Sequence, residues 1–171
     1  MRCELRLLGG FAAVVDGAAI ASAAWRHRRA LQLVKILALA AGHRLVAEQV
    51  VDLMWPDLPA QAGGANLRKA AHLARQVLGA PDAVVLAGGA VVLFPRDEVW
   101  TDAEEFRRAA DAALRTGDRG SLATAIGLYA GDLLPDDRYE DWAAAPRERL
   151  RARYLQALRR AGEWERLVEE E

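Results

Sequence analysis

Cysteine is almost absent, with Cys3 alone. A single thiol excludes an internal disulfide and a thiolate metal cluster, and it fits a reducing, cytoplasmic setting. Its expected place is as a small buried hydrophobe near the start of a strand. Long apolar runs are missing too. Charge interrupts each of them well before the ~20 residues that a membrane-spanning helix requires, so no membrane association is expected. No N-terminal stretch shows the charged, apolar and small-residue order of a secretion signal. Catalytic signatures are also lacking. His27, His43 and His72 fall on separate elements without HExxH spacing, and neither GxSxG nor GxxxxGK occurs. Asp136, Asp137, Glu140 and Asp141 have the composition of a solvated loop or a helix start. The expectation is therefore no enzyme, no catalytic residue, no cofactor and no metal. Lysine is scarce, 2 against 21 arginines, which points to a GC-rich genome and not to a mechanism.

What is present is an ordinary globular composition over 171 residues, enough for one domain or two small ones with a real core. The net charge of −1 hides a split. Residues 1–96 carry 11 basic and 6 acidic side chains, a net +5, and residues 97–171 carry 12 and 18, a net −6. A basic half joined to an acidic half points to a polyanion-facing module followed by a module with another task.

Taken in order, Glu4–Leu8 and Phe11–Val15 are expected strands joined near Gly9-Gly10. Asp16-Gly17 is a hairpin turn leading to a third strand, Ala18–Ile20. Arg26–Ala41 is the first helix, stopped by Gly42. Its start carries Arg26, His27, Arg28 and Arg29, positive charge that opposes the helix dipole unless an anion lies nearby. Val46–Trp55 is the second helix, with a poor valine cap and Pro56 as its stop. Trp55 is expected in the core, and Pro59–Gly64 is expected to be a small-residue loop. Ala83–Leu86 and Val91–Phe94 form a hairpin about Ala87-Gly88-Gly89-Ala90. The domain boundary is placed at Pro95-Arg96, giving units 1–96 and 97–171. In the second unit Asp102 and Glu105 read as a capping box. Helices follow from there, at Leu122–Tyr129 and Trp142–Ala161, with a further one beginning at Glu163. Their alanine-rich faces and Gly breaks point to stacked helical repeats, and the second unit is expected to be incomplete.

The stretch that carries function is Asn66–Leu78. As a helix it gathers Leu67, Ala70, Ala71, Ala74, Val77 and Leu78 on one side. The other side presents Asn66, Arg68, Lys69, His72, Arg75 and Gln76, donors suited to phosphate oxygens and base edges, with no acid among them. Helix, loop, basic helix and hairpin in this order make a winged helix-turn-helix.

Seven blocks in order resemble one family. They are Leu5–Phe11 (LRLLGGF), Arg28–Gly42 (RRALQLVKILALAAG), Val51–Asp57 (VDLMWPD), Asn66–Gly79 (NLRKAAHLARQVLG), Val99–Phe106 (VWTDAEEF), Leu128–Pro135 (LYAGDLLP) and Tyr139–Leu158. The chain resembles the Streptomyces antibiotic regulatory protein family, an OmpR-type winged helix-turn-helix followed by a bacterial transcriptional activator domain. The resemblance implies an α+β N-terminal domain, with a small antiparallel sheet, three helices and a hairpin wing, followed by an all-α tetratricopeptide-like domain. It implies a sequence-specific transcriptional regulator, an activator, with the helix Asn66–Leu78 in the major groove of double-stranded DNA and the wing near the minor groove. It also implies contact with RNA polymerase through the loop 57–65. Three positions depart from the family pattern: Leu73 and Ala90 stand where basic or polar residues are usual, and Val46 replaces a Ser or Thr cap.

The expected mechanism is positioning by phosphate contacts from Arg28, Arg29 and the backbone and base readout by Arg68, Lys69, His72 and Gln76. Arg68 or Arg75 bidentate to a guanine is expected as the most specific contact, with Asn66 also among the DNA-binding residues. One such module buries little surface, so a homodimer on repeated half-sites is expected. The competing reading is a protein-interaction module whose winged helix does not read DNA; the acidic second half, the bare wing and Leu73 favour it.

Overall fold

The computed structural model describes residues 1–162; the helix expected from Glu163 lies outside the described residues. Within them are six α-helices and two small sheets. The chain divides into two compact units, Met1–Leu5 with Ala12–Val99, and Arg6–Phe11 with Trp100 onward.

The first unit opens on alternation. In β1 (Arg2–Arg6), Cys3 and Leu5 are buried while Arg2 and Arg6 are exposed, the period-2 pattern of a strand with one covered face. Full burial pushes the Cys3 thiol up to about 12, with a smaller push from Glu4, so this thiol is not a reactive one. β2 (Ala12–Val15) and β3 (Ala18–Ala19) pair through Val15 and Ala18 about Asp16-Gly17. Both turn residues sit at positive φ, 47° and 79°, the geometry of a two-residue type I′ hairpin.

Three helices follow. α1 (Arg28–Leu39) buries nearly a whole cylinder, Ala30 and Gln32–Ala38. Gly42, at φ 62°, turns the chain from its end into β4 (Arg44–Val46), a strand that periodicity did not indicate because it is short and mixed in polarity. α2 (Ala47–Met54) is capped on one side only. The Gln49 side chain accepts from Val46 N–H at 3.4 Å, but valine has no oxygen to return the bond.

α3 runs from Ala60 to Leu78, and this corrects the reading of Pro59–Gly64 as a loop. The glycines there do not serve a turn. A Cβ on Gly63 would stand 2.3 Å from Val51 Cγ1, so Gly63 is the residue that lets α3 close on α2. The connection shrinks to Trp55–Pro59, and most of the expected loop 57–65 is helix. β5 (Val84–Ala87) and β6 (Ala90–Leu93) form the expected hairpin, with Gly88 and Gly89 both at positive φ. β4 pairs with β6, so this sheet has the order β4-β6-β5. The hairpin turn is tied down as well, since Ala47 N–H donates to Gly89 O at 2.8 Å.

The chain leaves through β7 (Glu98–Thr101), which extends the first sheet to the order β3-β2-β1-β7. The division therefore falls inside this strand and not at Pro95-Arg96. Arg6–Phe11 belongs with the later residues for a physical reason. Leu7 and Leu8 N–H donate to the Asp102 carboxylate at 2.7 and 3.2 Å, Gly9 N–H donates to Asp132 O, and Leu134 N–H to Leu7 O. Gly9 and Gly131 pass so closely that a Cβ on Gly131 would lie 3.0 Å from Gly9 Cα.

In this second unit α4 (Asp102–Thr116), α5 (Arg119–Leu128) and α6 (Asp141–Ala161) pack on one another. The expected Asp102–Glu105 capping box is not formed. Thr101 Oγ1 caps α4 by accepting from Glu104 N–H at 3.1 Å, Asp102 is committed to Leu7 and Leu8, and Glu105 accepts from the Trp100 indole. Phe106, Tyr129 and Tyr154 form an aromatic file, the last two stacked at 4.2 Å. Arg147 on α6 binds the loop before it, donating to the carbonyls of Leu133, Leu134 and Asp137.

Two predictions test this account. Gly63→Val should destabilise the protein by about 1–3 kcal/mol through overpacking, and adding Val51→Ala should recover part of it; urea unfolding measures both. Burial raises the Asp102 carboxyl above its ordinary range, against the pull of the Leu7, Leu8 and Ala103 N–H groups and of Arg6. Its contribution to stability is therefore fully present below the ordinary Asp value and is lost as pH rises through the raised one. Relative to Asp102→Asn, the wild type should lose ground as pH increases across that window, and unfolding curves at stepped pH would show no such drift if burial were not the cause.

Candidate nucleic-acid interface

The outward arc of α3 follows from its inward one. Gly63, Leu67, Ala70, Ala71, Ala74 and Leu78 are buried against α1, α2 and β5, so the helical repeat turns Arg68, Lys69, His72 and Gln76 outward, and all four are exposed. Asn66 and Arg75 sit half-buried on the two edges of this arc. No acidic side chain occurs from Ala60 to Leu78. The long side chains thus stand on a base of small ones, which lets the helix press close to its support.

The two edges differ. On the Asn66 side, a hollow of about 390 Å³ is lined by Arg26, His27, Arg28, Arg29, Trp55, Asn66, Lys69, Ala70 and Leu73. It brings the basic start of α1 beside α3, so Arg28, Arg29, Asn66 and Lys69 share one surface. Arg29 is held in place there. Its Nη1 donates to Gln32 Oε1 at 2.7 Å and to Met54 O at 2.9 Å, and its guanidinium lies over Trp55 at 5.7 Å. It therefore closes the C-terminal end of α2, whose last carbonyls have no helical partner. Arg28 is exposed and takes part in an interaction of its own.

On the other side, Arg75 Nη1 donates to Val84 O at 2.8 Å, tying α3 to β5. A second hollow, of about 410 Å³, lies between Arg68, Arg75, Pro81, Asp82 and Val84–Leu86. Of the eight residues expected at the interface, Arg68, Lys69, His72 and Gln76 form the outward ridge and Asn66 and Arg28 flank it. Arg29 and Arg75 also hold elements of the unit together. That double role had no signal in the sequence, because their partners, Met54 and Val84, are distant carbonyls without a side-chain motif. Trp55, only 9% exposed, is in the core as expected, yet its edge reaches the hollow. The hairpin tip at Gly88-Gly89 carries no cation, and Ala90 beside it is buried. The acids on and after α2, Glu48, Asp52 and Asp57, are exposed, and Glu48 and Asp52 line a third hollow, of about 300 Å³, with Ala60, Gly64, Leu67 and Arg68 of α3.

Among the described residues no group of three or more His, Cys, Asp or Glu could hold a metal ion, and no helix is long and apolar enough to cross a membrane.

No protein-family model matches the chain, and no curated protein matches it. Among solved structures, Mycobacterium tuberculosis EmbR in complex with a low-affinity phosphopeptide is similar, with a TM-score of 0.69 and 17% identity over 99% of this chain and 48% of that one. The chain thus spans about half the length of EmbR, and at this identity the likeness is one of fold.

The two kinds of arginine should separate by stability. Arg75→Ala should cost about 1–2 kcal/mol, the worth of a charge-assisted bond to a carbonyl. Arg68→Ala, Lys69→Ala, His72→Ala and Gln76→Ala should each stay within about 0.5 kcal/mol of the wild type. Thermal unfolding of the five variants checks this, and equal losses throughout would mean the outward ridge is structural.

Proposed function

We propose that the chain is a sequence-specific DNA-binding transcriptional regulator. On this reading the first unit, Met1–Leu5 with Ala12–Val99, is an OmpR-type winged helix-turn-helix, as in the Streptomyces antibiotic regulatory protein family. α3 enters the major groove and the hairpin β5–β6 is the wing beside the minor groove. The observation that carries the reading is the outward arc of α3, four exposed donors with no acid, flanked by the basic start of α1. Arg68 or Lys69 paired to a guanine edge would give the strongest discrimination, ~1–3 kcal/mol per good contact. His72 and Gln76 read neighbouring positions, and Arg28 with Lys69 grips phosphate. Arg75 contributes to recognition only through the nitrogens that its bond to Val84 leaves over.

The helical unit is, in this proposal, a tetratricopeptide-like partner module of an activator working in the bacterial cytoplasm on nucleoid DNA. The connection to RNA polymerase moves to the exposed pair Asp57 and Leu58 with the first turn of α3, since most of the span 57–65 is helical. Because one module of this size buries only ~600–1,000 Å² of protein surface on DNA, a homodimer on half-sites one helical turn apart, or a multiple of that, completes the binding unit.

A second reading is a protein-interaction module. The commitment of Arg29 and Arg75 to intramolecular bonds, and a hairpin tip without a cation, favour it. The phosphopeptide held by EmbR is consistent with a protein partner, within a chain about twice as long.

Selection of bound sites from random duplex DNA, followed by gel-shift titration, decides between them. Log K should fall linearly with log salt, with a slope of ~0.9 per phosphate contact. Arg68→Ala should cost about 1–3 kcal/mol and relax one base position. A fold-intact Arg68→Ala/Lys69→Ala variant that binds DNA as the wild type does, or a wild type that selects no sequence, would transfer the case to the interaction module.

A further inference from the structure

The hollows beside α3 at the start of α1 and beside the hairpin are chemically unlike. The one at the start of α1 has four cations on its lining, Arg26, Arg28, Arg29 and Lys69, and no carboxylate, with Trp55, Ala70 and Leu73 supplying an apolar part. The one beside the hairpin has Asp82 on its wall and no aromatic ring. Arg29 is also preorganised. Both of its hydrogen bonds leave from Nη1, to Gln32 and to Met54, while the guanidinium lies over Trp55. Among the described residues its Nε and Nη2 make no hydrogen bond, and these two form the edge that pairs side-on with a carboxylate. A guanidinium already held in place loses little further freedom on binding. Lys69 and Asn66, on the opposite wall, likewise have no partner among the described residues. At about 390 Å³ the hollow lies within the ~300–1,000 Å³ usual for small-molecule sites, which combine an apolar lining with a few placed polar groups.

We propose that this hollow is a ligand site for a small aromatic carboxylate. The ring lies against Trp55 and Leu73, and the carboxylate pairs side-on with Nε and Nη2 of Arg29. Lys69 supplies a second cation from α3, and Asn66 a donor at the rim. Leu73, unhelpful to a phosphate grip, has a purpose here as one apolar wall. The site rests on the geometry of the hollow, and it deepens the DNA reading because Lys69, Asn66 and Arg28 belong to both. A seated ligand would compete with DNA for the same side chains.

Calorimetric titration of the whole chain with indole-3-carboxylate tests this, beside two controls: indole-3-methanol, which has the ring without the charge, and inorganic phosphate, which has the charge without the ring. One-to-one saturable binding of the carboxylate is expected, with both controls roughly tenfold weaker or worse. Arg29→Lys keeps the charge and loses the fork, and Leu73→Glu places a like charge on the apolar wall. Each should weaken binding by roughly tenfold or more, and thermal unfolding verifies that each remains folded. Leu73→Glu covers the case in which Arg29→Lys unfolds. No heat from the carboxylate, equal binding of phosphate, or unchanged binding in both variants overturns the proposal. Gel shifts with and without saturating carboxylate form a separate arm, where release of DNA is expected. If the chain binds no DNA at all, the titrations alone still decide whether the ligand site exists.

Discussion

The first unit depends on how closely α3 can approach its neighbours. Gly63 accepts the methyl of Val51, and Ala70, Ala71 and Ala74 continue the contact along the helix, so backbone packs near backbone with little side-chain bulk between. Small residues bury less apolar area each, but they lose no rotamer freedom and leave few voids. The consequence is geometric. A helix seated on alanines stands with its opposite arc proud of the surface, and Arg68, Lys69, His72 and Gln76 extend from there without touching the core. The same residues on a helix supported by leucine and phenylalanine would be lifted away from α1 and β5, and the flanking hollows would open.

Charge in this unit is divided between reach and restraint. Arg29 closes the end of α2 and covers Trp55; Arg75 joins α3 to β5. Each replaces a bond that the backbone cannot make for itself, since the last carbonyls of α2 lack helical partners and Val84 lies at the start of its strand. A guanidinium suits this because it offers several donors in a rigid plane, so one nitrogen can serve the fold while others remain for a ligand. The candidate surface is thus anchored at both edges of α3 by side chains that also belong to it. Its geometry is set before any partner arrives, and that reduces the ordering cost of binding.

The second unit uses the same device with opposite sign. Asp102 takes the N–H groups of Leu7 and Leu8, 95 and 94 positions away, and the crossing of Gly9 over Gly131 brings the segment Arg6–Phe11 among residues still further along the chain. A carboxylate is the natural receiver for two backbone donors at a strand end, although burial raises its own cost of ionisation. Arg147 then gathers the carbonyls of Leu133, Leu134 and Asp137, holding the loop before α6 without regular structure. The distant ties of Asp102 and the Gly9–Gly131 crossing explain why the unit boundary cuts the chain three times, after Leu5, Phe11 and Val99.

Local pattern was enough for much of this. The 3.6-residue spacing of Leu67, Ala70, Ala71, Ala74 and Leu78 assigned the buried side of α3 and, by exclusion, its cationic side. Asp16-Gly17 and Gly88-Gly89 announced their hairpins, because two successive residues at positive φ admit few other sequences. Cys3 was legible as buried from the burial habit of a lone free cysteine near a strand start. Tertiary structure alone decided the rest. Gly63-Gly64 read as a loop because glycine is a poor helix former, and only the nearness of Val51 shows that the missing side chain is what the helix needs there. β4 is too short to carry a pattern and exists because β6 supplies its partner. The Asp102–Glu105 spacing met the local rule for a capping box, but Leu7 and Leu8, far away in sequence, took the carboxylate and left Thr101 to cap. Periodicity names the residues that share a face; which carbonyl, methyl or carboxylate that face will meet depends on contacts distant in sequence, and no local window contains them.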